Sequence, residues 1–321
     1  MQETYMTTIA SRESPPVPAS PLAGWSSLPP EYAIPSVAPS LAEAEEYCRR
    51  LARSHYENFS VATWFLPRHL RQPFCNVYAY CRISDDLGDE VGNPADSMDL
   101  LDAWERELDA CYTGNPRHPV FVALAGTVRQ SDIPKHEFSD LLTAFRQDQT
   151  ITRYATFDEL LGYCLNSANP VGHLVLYLCG YRDAERQKLS DFTCTALQLA
   201  NFWQDVSVDY ETKDRIYLPL EDLRRFSVTE DDLAARRNTP AFREMMKFEV
   251  ARARDWFEQG EPLIGKVAKE LALDIELFSR GGQEILKAIE QQDYAVLGRR
   301  PSISKTRKLM LVARAAWGKL A

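Results

Sequence analysis

Residues 194–219 read CTALQLANFWQDVSVDYETKDRIYLP. Within them Gln198, Asn201, Asp205 and Asp209 recur three, four and four residues apart, a spacing that puts all four on one face of an α-helix. Leu197, Leu199, Phe202, Trp203 and Val206 take up most of the remaining circumference. The helix therefore reads as buried, and its polar stripe has to meet a cavity or polar partners. A carboxylate in such surroundings protonates or acquires a counter-charge.

A second stripe lies upstream, in YAYCRISDDLGDEVGN (78–93). Tyr78, Arg82, Asp85 and Asp89 are spaced four, three and four apart, and Asp85, Asp86, Asp89 and Glu90 crowd into six residues. Like charges one turn apart repel by about 0.2–0.5 kcal/mol per pair even when solvated. Each stripe taken alone fits an ordinary solvated acidic face. Two of them, one on so apolar a helix, favour stripes that face each other across a cavity and share divalent cations. Mg²⁺ suits such a donor set, because it takes few carboxylates, keeps several waters and completes its shell with phosphate oxygens. The ligand this implies is a diphosphate.

The rest of the chain is consistent with a helical protein built around those stripes. Its 321 residues suffice for a sizeable core. The first forty residues hold eight of the nineteen prolines and no hydrophobic period, and read as a flexible tail that is dispensable for chemistry. From Leu41 to 321 apolar residues recur three and four apart, punctuated by VGNP, TGNPRHP and SDIP. This predicts about ten helices in a single all-α domain. A balance of 37 basic against 46 acidic residues argues against a nucleic-acid partner. Seven cysteines without a Cys-x-x-Cys pair or a preceding secretory signal point to a reduced, cytoplasmic chain. No apolar run reaches the eighteen or so residues of a membrane span.

In YCLNSANPVGHLVLYLCG (163–180), Ser167, Ala168 and Gly172 surround Pro170 in an apolar stretch. The expectation is one long helix kinked at the proline, with small residues that accept either a long hydrophobic ligand or a neighbouring helix. His173 reads as structural.

These segments resemble the squalene/phytoene synthases, the head-to-head branch of the all-helical class I isoprenoid synthases. YAYCRISDDLGDE and QLANFWQDVSVDYETKDRIYLP stand where that family has its two aspartate-rich motifs, and the resemblance spans roughly residues 50–315. HYENFSVATWFLP, FRQDQTITRY, SANPVGHL and NFWQD are most similar to the bacterial hydroxysqualene synthases of the hopanoid route. The resemblance implies a helical bundle with a central cavity and a prenyl diphosphate substrate. It implies Asp85, Asp89, Asn201, Asp205 and Asp209 as holders of Mg²⁺, with Gln198 beside them. Arg82 and Tyr163 match positions that contact the diphosphate or the reacting chain, and Arg300 is a further match. Gln204 stands where many relatives, phytoene synthases among them, carry arginine, and Gly88 breaks the first motif with a poor helix former.

The expected reaction ionises presqualene diphosphate and ends in water capture to give hydroxysqualene. Phe65, Tyr78, Phe145, Tyr163, Phe202 and Trp203 are the aromatic candidates to face the cation. The alternative within the fold is synthesis of presqualene diphosphate, squalene or phytoene from two prenyl diphosphates. A di-iron bundle would need Glu-x-x-His pairs, and residues three before His55, His69, His118, His136 and His173 are Ala52, Leu66, Asn115, Ile133 and Pro170. A non-catalytic helical scaffold is the remaining alternative. After Tyr294 the chain carries Arg299, Arg300, Lys305, Arg307, Lys308, Arg314 and Lys319 and no acid. That segment fits either peripheral contact with an anionic bilayer or a terminal helix with a solvated basic face.

Overall fold

In a computed structural model of the chain, residues 32–54, 67–304 and Arg307 are described. Helix α1 (Leu41–Ser54) starts where Ser40 and Glu43 cap each other: the Ser40 amide donates to Glu43 Oε2 at 2.9 Å, and the Glu43 amide donates to Ser40 Oγ at 3.4 Å. Eleven further α-helices follow among the described residues: α2 (Arg71–Asp89), α3 (Pro94–Thr113), α4 (Pro119–Ser131), α5 (His136–Gln147), α6 (Phe157–Ser167), α7 (Asn169–Leu178), α8 (Ala184–Lys213), α9 (Leu220–Arg225), α10 (Glu230–Ala234), α11 (Pro240–Gly260) and α12 (Lys269–Gln291). The punctuation read from the sequence falls at their ends. Asn93 caps α3 ahead of Pro94, His118 caps α4 ahead of Pro119, and Gly114 closes α3 at a positive φ of 102°.

The chain divides into two compact units, 1–150 with 170–183, and 151–169 with 184–321. In the first, α2 packs on α1, α3, α4 and α5. Its centre is aromatic: Tyr80 meets Phe138 edge-on at 4.9 Å and Trp104 meets Phe121 at 4.5 Å, contacts that add about 0.5–1.5 kcal/mol each to simple burial. The polar tips are satisfied, since Tyr80 Oη donates to the Phe138 carbonyl at 2.8 Å and Trp104 Nε1 to Ser84 Oγ at 2.9 Å. Gly88, which the sequence marks only as a weak helix former, has a packing reason. A β-carbon there would sit 3.2 Å from Phe145 of α5.

The second unit is organised on α8, flanked by α11 and α12. Gly282 lets α12 approach closely, because a β-carbon would lie 2.8 Å from Leu197 Cδ2 of α8. Residues 151–155 run beside the segment after α8 as a single parallel bridge, Arg153 to Ile216; the Ile216 amide donates to the Thr152 carbonyl at 2.8 Å and the Leu220 amide to the Tyr154 carbonyl at 2.9 Å. No other strand pairing occurs among the described residues.

One expectation is corrected. Pro170 does not sit inside one continuous helix: α6 ends at Ser167, Ala168 stands between with φ −115° and ψ −49°, and α7 starts at Asn169. Proline supplies no amide for the helical ladder and restricts the residue before it, so at the head of a helix it is tolerated where mid-helix it is not. Contacts near the N-terminus also reach into the stretch read as a tail, because the Tyr32 hydroxyl donates to Asp86 Oδ2 at 2.7 Å.

Candidate active site

Helix α2 carries the first acidic stripe at its C-terminal end. Asp85 and Asp86 are buried and Asp89 is half-buried. Carboxylates there oppose the helix dipole, whose negative end lies at the C-terminus, so their compensation has to come from cationic side chains. Arg82 closes on Asp86, one turn along: Nε donates to Oδ2 at 3.1 Å, and Nη2 bonds Oδ1. Burial still pushes the Asp86 carboxyl up to about 6, against the lowering effect of Arg82 and Tyr32. Tyr78 is half-buried at the edge of the first unit's core.

The second stripe lies on α8. Gln198, Asn201, Gln204 and Asp205 are buried, and Asp209 is half-buried. Arg300 reaches Asp205 with a fork, Nη2 donating to Oδ2 at 2.9 Å and Nε bonding Oδ1, and Nη2 also donates to Gln204 Oε1 at 3.2 Å. The other end of the Gln204 amide donates to the Pro301 carbonyl at 2.7 Å. Asp209 is pushed up to about 7, first by burial and then by Asp205 one turn away, with Lys213 and Arg215 acting against the rise.

An aromatic cluster adjoins that stripe. Phe202 stacks on Tyr217 at 3.9 Å and 10°, and Tyr163 lies 6.2 Å from Phe202 and 5.8 Å from Tyr217. Tyr154 completes it, 5.5 Å from Tyr163 and 5.9 Å from Tyr217. The 151–155 pairing with the RIYLP segment sets these rings, and Arg153 fastens it by bonding Asp214 Oδ1 at 2.8 Å and Glu230 Oε2 at 3.1 Å.

Of the aromatic candidates read from the sequence, Tyr163 and Phe202 belong to this cluster. Trp203 is core, its Nε1 donating to the Glu249 carbonyl at 3.1 Å, and Phe145 is core against Gly88. Phe65 lies outside the described residues. Gly172 is half-buried on α7. Tyr154, Tyr217 and Asp86 were not singled out as site residues. The available signals were the tyrosines inside FRQDQTITRY and RIYLP, and the position of Asp86 one turn after Arg82.

The donor set of each stripe suits a hard divalent cation. Asp205, Asp209 and Asn201 offer oxygen ligands from one helical face. Among the described residues no three metal-ligating side chains already converge as a formed centre. Arg307, within the basic C-terminal segment, pairs with Glu284 at 2.8 and 2.6 Å. Lys305, Lys308, Arg314 and Lys319 lie outside the described residues. No described helix is long and apolar enough to cross a membrane.

The family model for squalene/phytoene synthase matches residues 52–307. A 15-cis-phytoene synthase from Synechocystis sp. is 32% identical over 297 residues, 88% of each chain. Among solved structures, the squalene synthase HpnC from Alicyclobacillus acidocaldarius is 47% identical with a TM-score of 0.76, over 79% of this chain and 95% of that one. A dehydrosqualene synthase solved with a ligand is 26% identical with a TM-score of 0.78, over 88% and 98% of the two chains. An all-helical chain with two aspartate stripes, matched over this length, is an isoprenoid synthase acting on prenyl diphosphates and belongs to the squalene/phytoene synthase family.

Proposed function

We propose that the protein converts presqualene diphosphate to hydroxysqualene, with Mg²⁺ held by Asp85, Asp89, Asn201, Asp205 and Asp209. The observation that carries this reading is the contrast in similarity: 47% identity to a squalene synthase against 32% to a phytoene synthase. Gln204 agrees with it. A neutral amide beside Asp205, already engaged with Arg300 and Pro301, leaves less fixed positive charge than the arginine of many relatives, and so suits a single pre-joined diphosphate.

A divalent cation bound there would neutralise the diphosphate and make it a better leaving group. The residues of the chain do the rest. Arg82 on α2, and Arg300 reaching Asp205 of α8 from the segment after α12, add positive charge beside the acidic stripes, and Tyr163, Phe202, Tyr217 and Tyr154 offer aromatic faces to a developing carbocation. The basic C-terminal segment is the candidate for contact with an anionic bilayer.

Incubation with presqualene diphosphate and Mg²⁺ in ¹⁸O-labelled water tests the reading. Labelled hydroxysqualene formed without a nicotinamide is the expected product; an unlabelled alcohol, or squalene formed only with NADPH, would defeat water capture. The similarity to phytoene synthases supports a second reading, which efficient conversion of two geranylgeranyl diphosphates to phytoene would favour.

A further inference from the structure

We infer that Gln204 is a positioning residue that seats Arg300 on Asp205, and that Arg300 is thereby the resident counter-cation a divalent ion has to exchange for at that carboxylate. The inference rests on the reading of Asp205 as a metal ligand.

The geometry is specific. The Asp205 side chain is 11% exposed and that of Arg300 34%, so the guanidinium reaches inward from a more open position to a largely buried charge. A fork on one carboxylate is the strong form of such a pair. Gln204, 2% exposed, uses both ends of its amide on the same short segment: Oε1 accepts from the Arg300 side chain, and Nε2 donates to the carbonyl of Pro301, the next residue. The amide thus ties the guanidinium and the backbone that carries it to the same turn of α8. Proline at 301 narrows the backbone further by fixing its own φ. Only a side chain that both donates and accepts can hold these two points. Glutamate loses the donor, and leucine loses both.

Divalent cation and guanidinium compete for the same oxygens of Asp205. Metal binding must break the fork, and the metal-free protein is the form that Arg300 stabilises. Removing Arg300 should therefore tighten Mg²⁺ binding while lowering metal-free stability. Loosening Arg300 without removing its charge should do the same to a smaller extent, which a general charge effect would not produce.

The test uses the full chain and MgCl₂ alone, with thermal unfolding and calorimetric titration as readouts. Arg300→Gln should lower the metal-free Tm and shift the MgCl₂ midpoint down about tenfold, the scale set by losing one charge-assisted bond. Gln204→Leu should shift both in the same directions by less. Arg300→Lys, which keeps the charge but not the fork, should fall between wild type and Arg300→Gln and serves if the latter does not fold. A Mg²⁺ response abolished by Asp205→Asn but unchanged in Arg300→Gln or in Gln204→Leu would overturn the inference alone. No Mg²⁺ response in any of the proteins would overturn the metal reading and the inference with it.

Discussion

The hydroxyl of Tyr32 donates to Asp86 at 2.7 Å, on the same carboxylate that Arg82 holds from one turn earlier in α2. A residue from the proline-rich N-terminal stretch thus helps to fix the acidic end of α2. Composition alone predicts that a chain starting at Leu41 keeps its turnover; this contact predicts otherwise. Removal of residues 1–40, or Tyr32→Phe, should cost about 1.5–3 kcal/mol, the range for a hydrogen bond to a charged group. Denaturant unfolding of the three proteins checks this, and equal stability of Tyr32→Phe and wild type would remove Tyr32 from the account.

Asp85→Asn and Asp205→Asn should each lower Mg²⁺-dependent turnover by at least about a hundredfold, on the scale seen when one electrostatic stabiliser of a transition state is removed. The fold should survive: Asp85→Asn relieves repulsion with Asp86, and Asp205→Asn keeps an amide oxygen that can still accept from Arg300. In Asp205→Asn the Asp209 carboxyl should also fall from about 7 toward the ordinary carboxylate range, since Asp205 is one cause of its rise. Carbon-detected NMR titration of Asp209 measures that shift. Near-normal turnover in either variant would remove its stripe from the chemistry.

The stack of Phe202 on Tyr217 at 3.9 Å separates an aromatic role from a hydroxyl role. Tyr217→Phe keeps the ring and should retain most turnover. Tyr217→Leu loses an aromatic pair worth about 0.5–1.5 kcal/mol, and should lose roughly tenfold in kcat with little change in KM if the ring faces the cation. Steady-state kinetics with presqualene diphosphate decide it. Equal kcat for the two variants would make Tyr217 a packing residue only.

Periodicity made the helices, their punctuation and the α8 stripe legible, because Gln198, Asn201, Asp205 and Asp209 share one face in any helix of that register. What the sequence withheld depends on contacts across long separations. Nothing local tells that Arg300 meets Asp205, that Tyr32 meets Asp86, or that Tyr154 and Tyr217 share a cluster. Gly88 shows the same limit. Helix propensity marks it as a defect, and only the approach of Phe145 explains why a side chain is excluded there. Pro170 is legible as a disturbance, but not that the helix ends at Ser167 and a new one starts at Asn169, one residue later.

The last prediction concerns Glu249, fully buried on α11. Arg252 bridges it to Asp222, with Nη1 3.2 Å from Glu249 Oε2 and 2.8 Å from Asp222 Oδ2, and the guanidinium lies 4.0 Å from the ring centre of Phe157. One cation serves two buried acids. Burial, opposed by Arg252 and reinforced by Asp222, raises the Glu249 carboxyl well above the ordinary carboxylate value. The native state therefore keeps a proton that the unfolded chain releases above about pH 4.5. Stability from this group is full below that pH and declines as pH rises toward the native pKa, because the native state binds more protons than the unfolded one. Asp86 and Asp209 contribute in the same sense, over windows that end near 6 and 7. Metal-free protein should accordingly melt lower at pH 8 than at pH 5. Glu249→Gln preserves the shape and a donor without the titration, so it should raise the Tm at pH 8 and narrow the gap between the two pH values while leaving part of it to Asp86 and Asp209. Thermal unfolding at both pH values in a chelator-containing buffer measures this, and an unchanged or widened gap in Glu249→Gln would show that Glu249 is ionised in the native state.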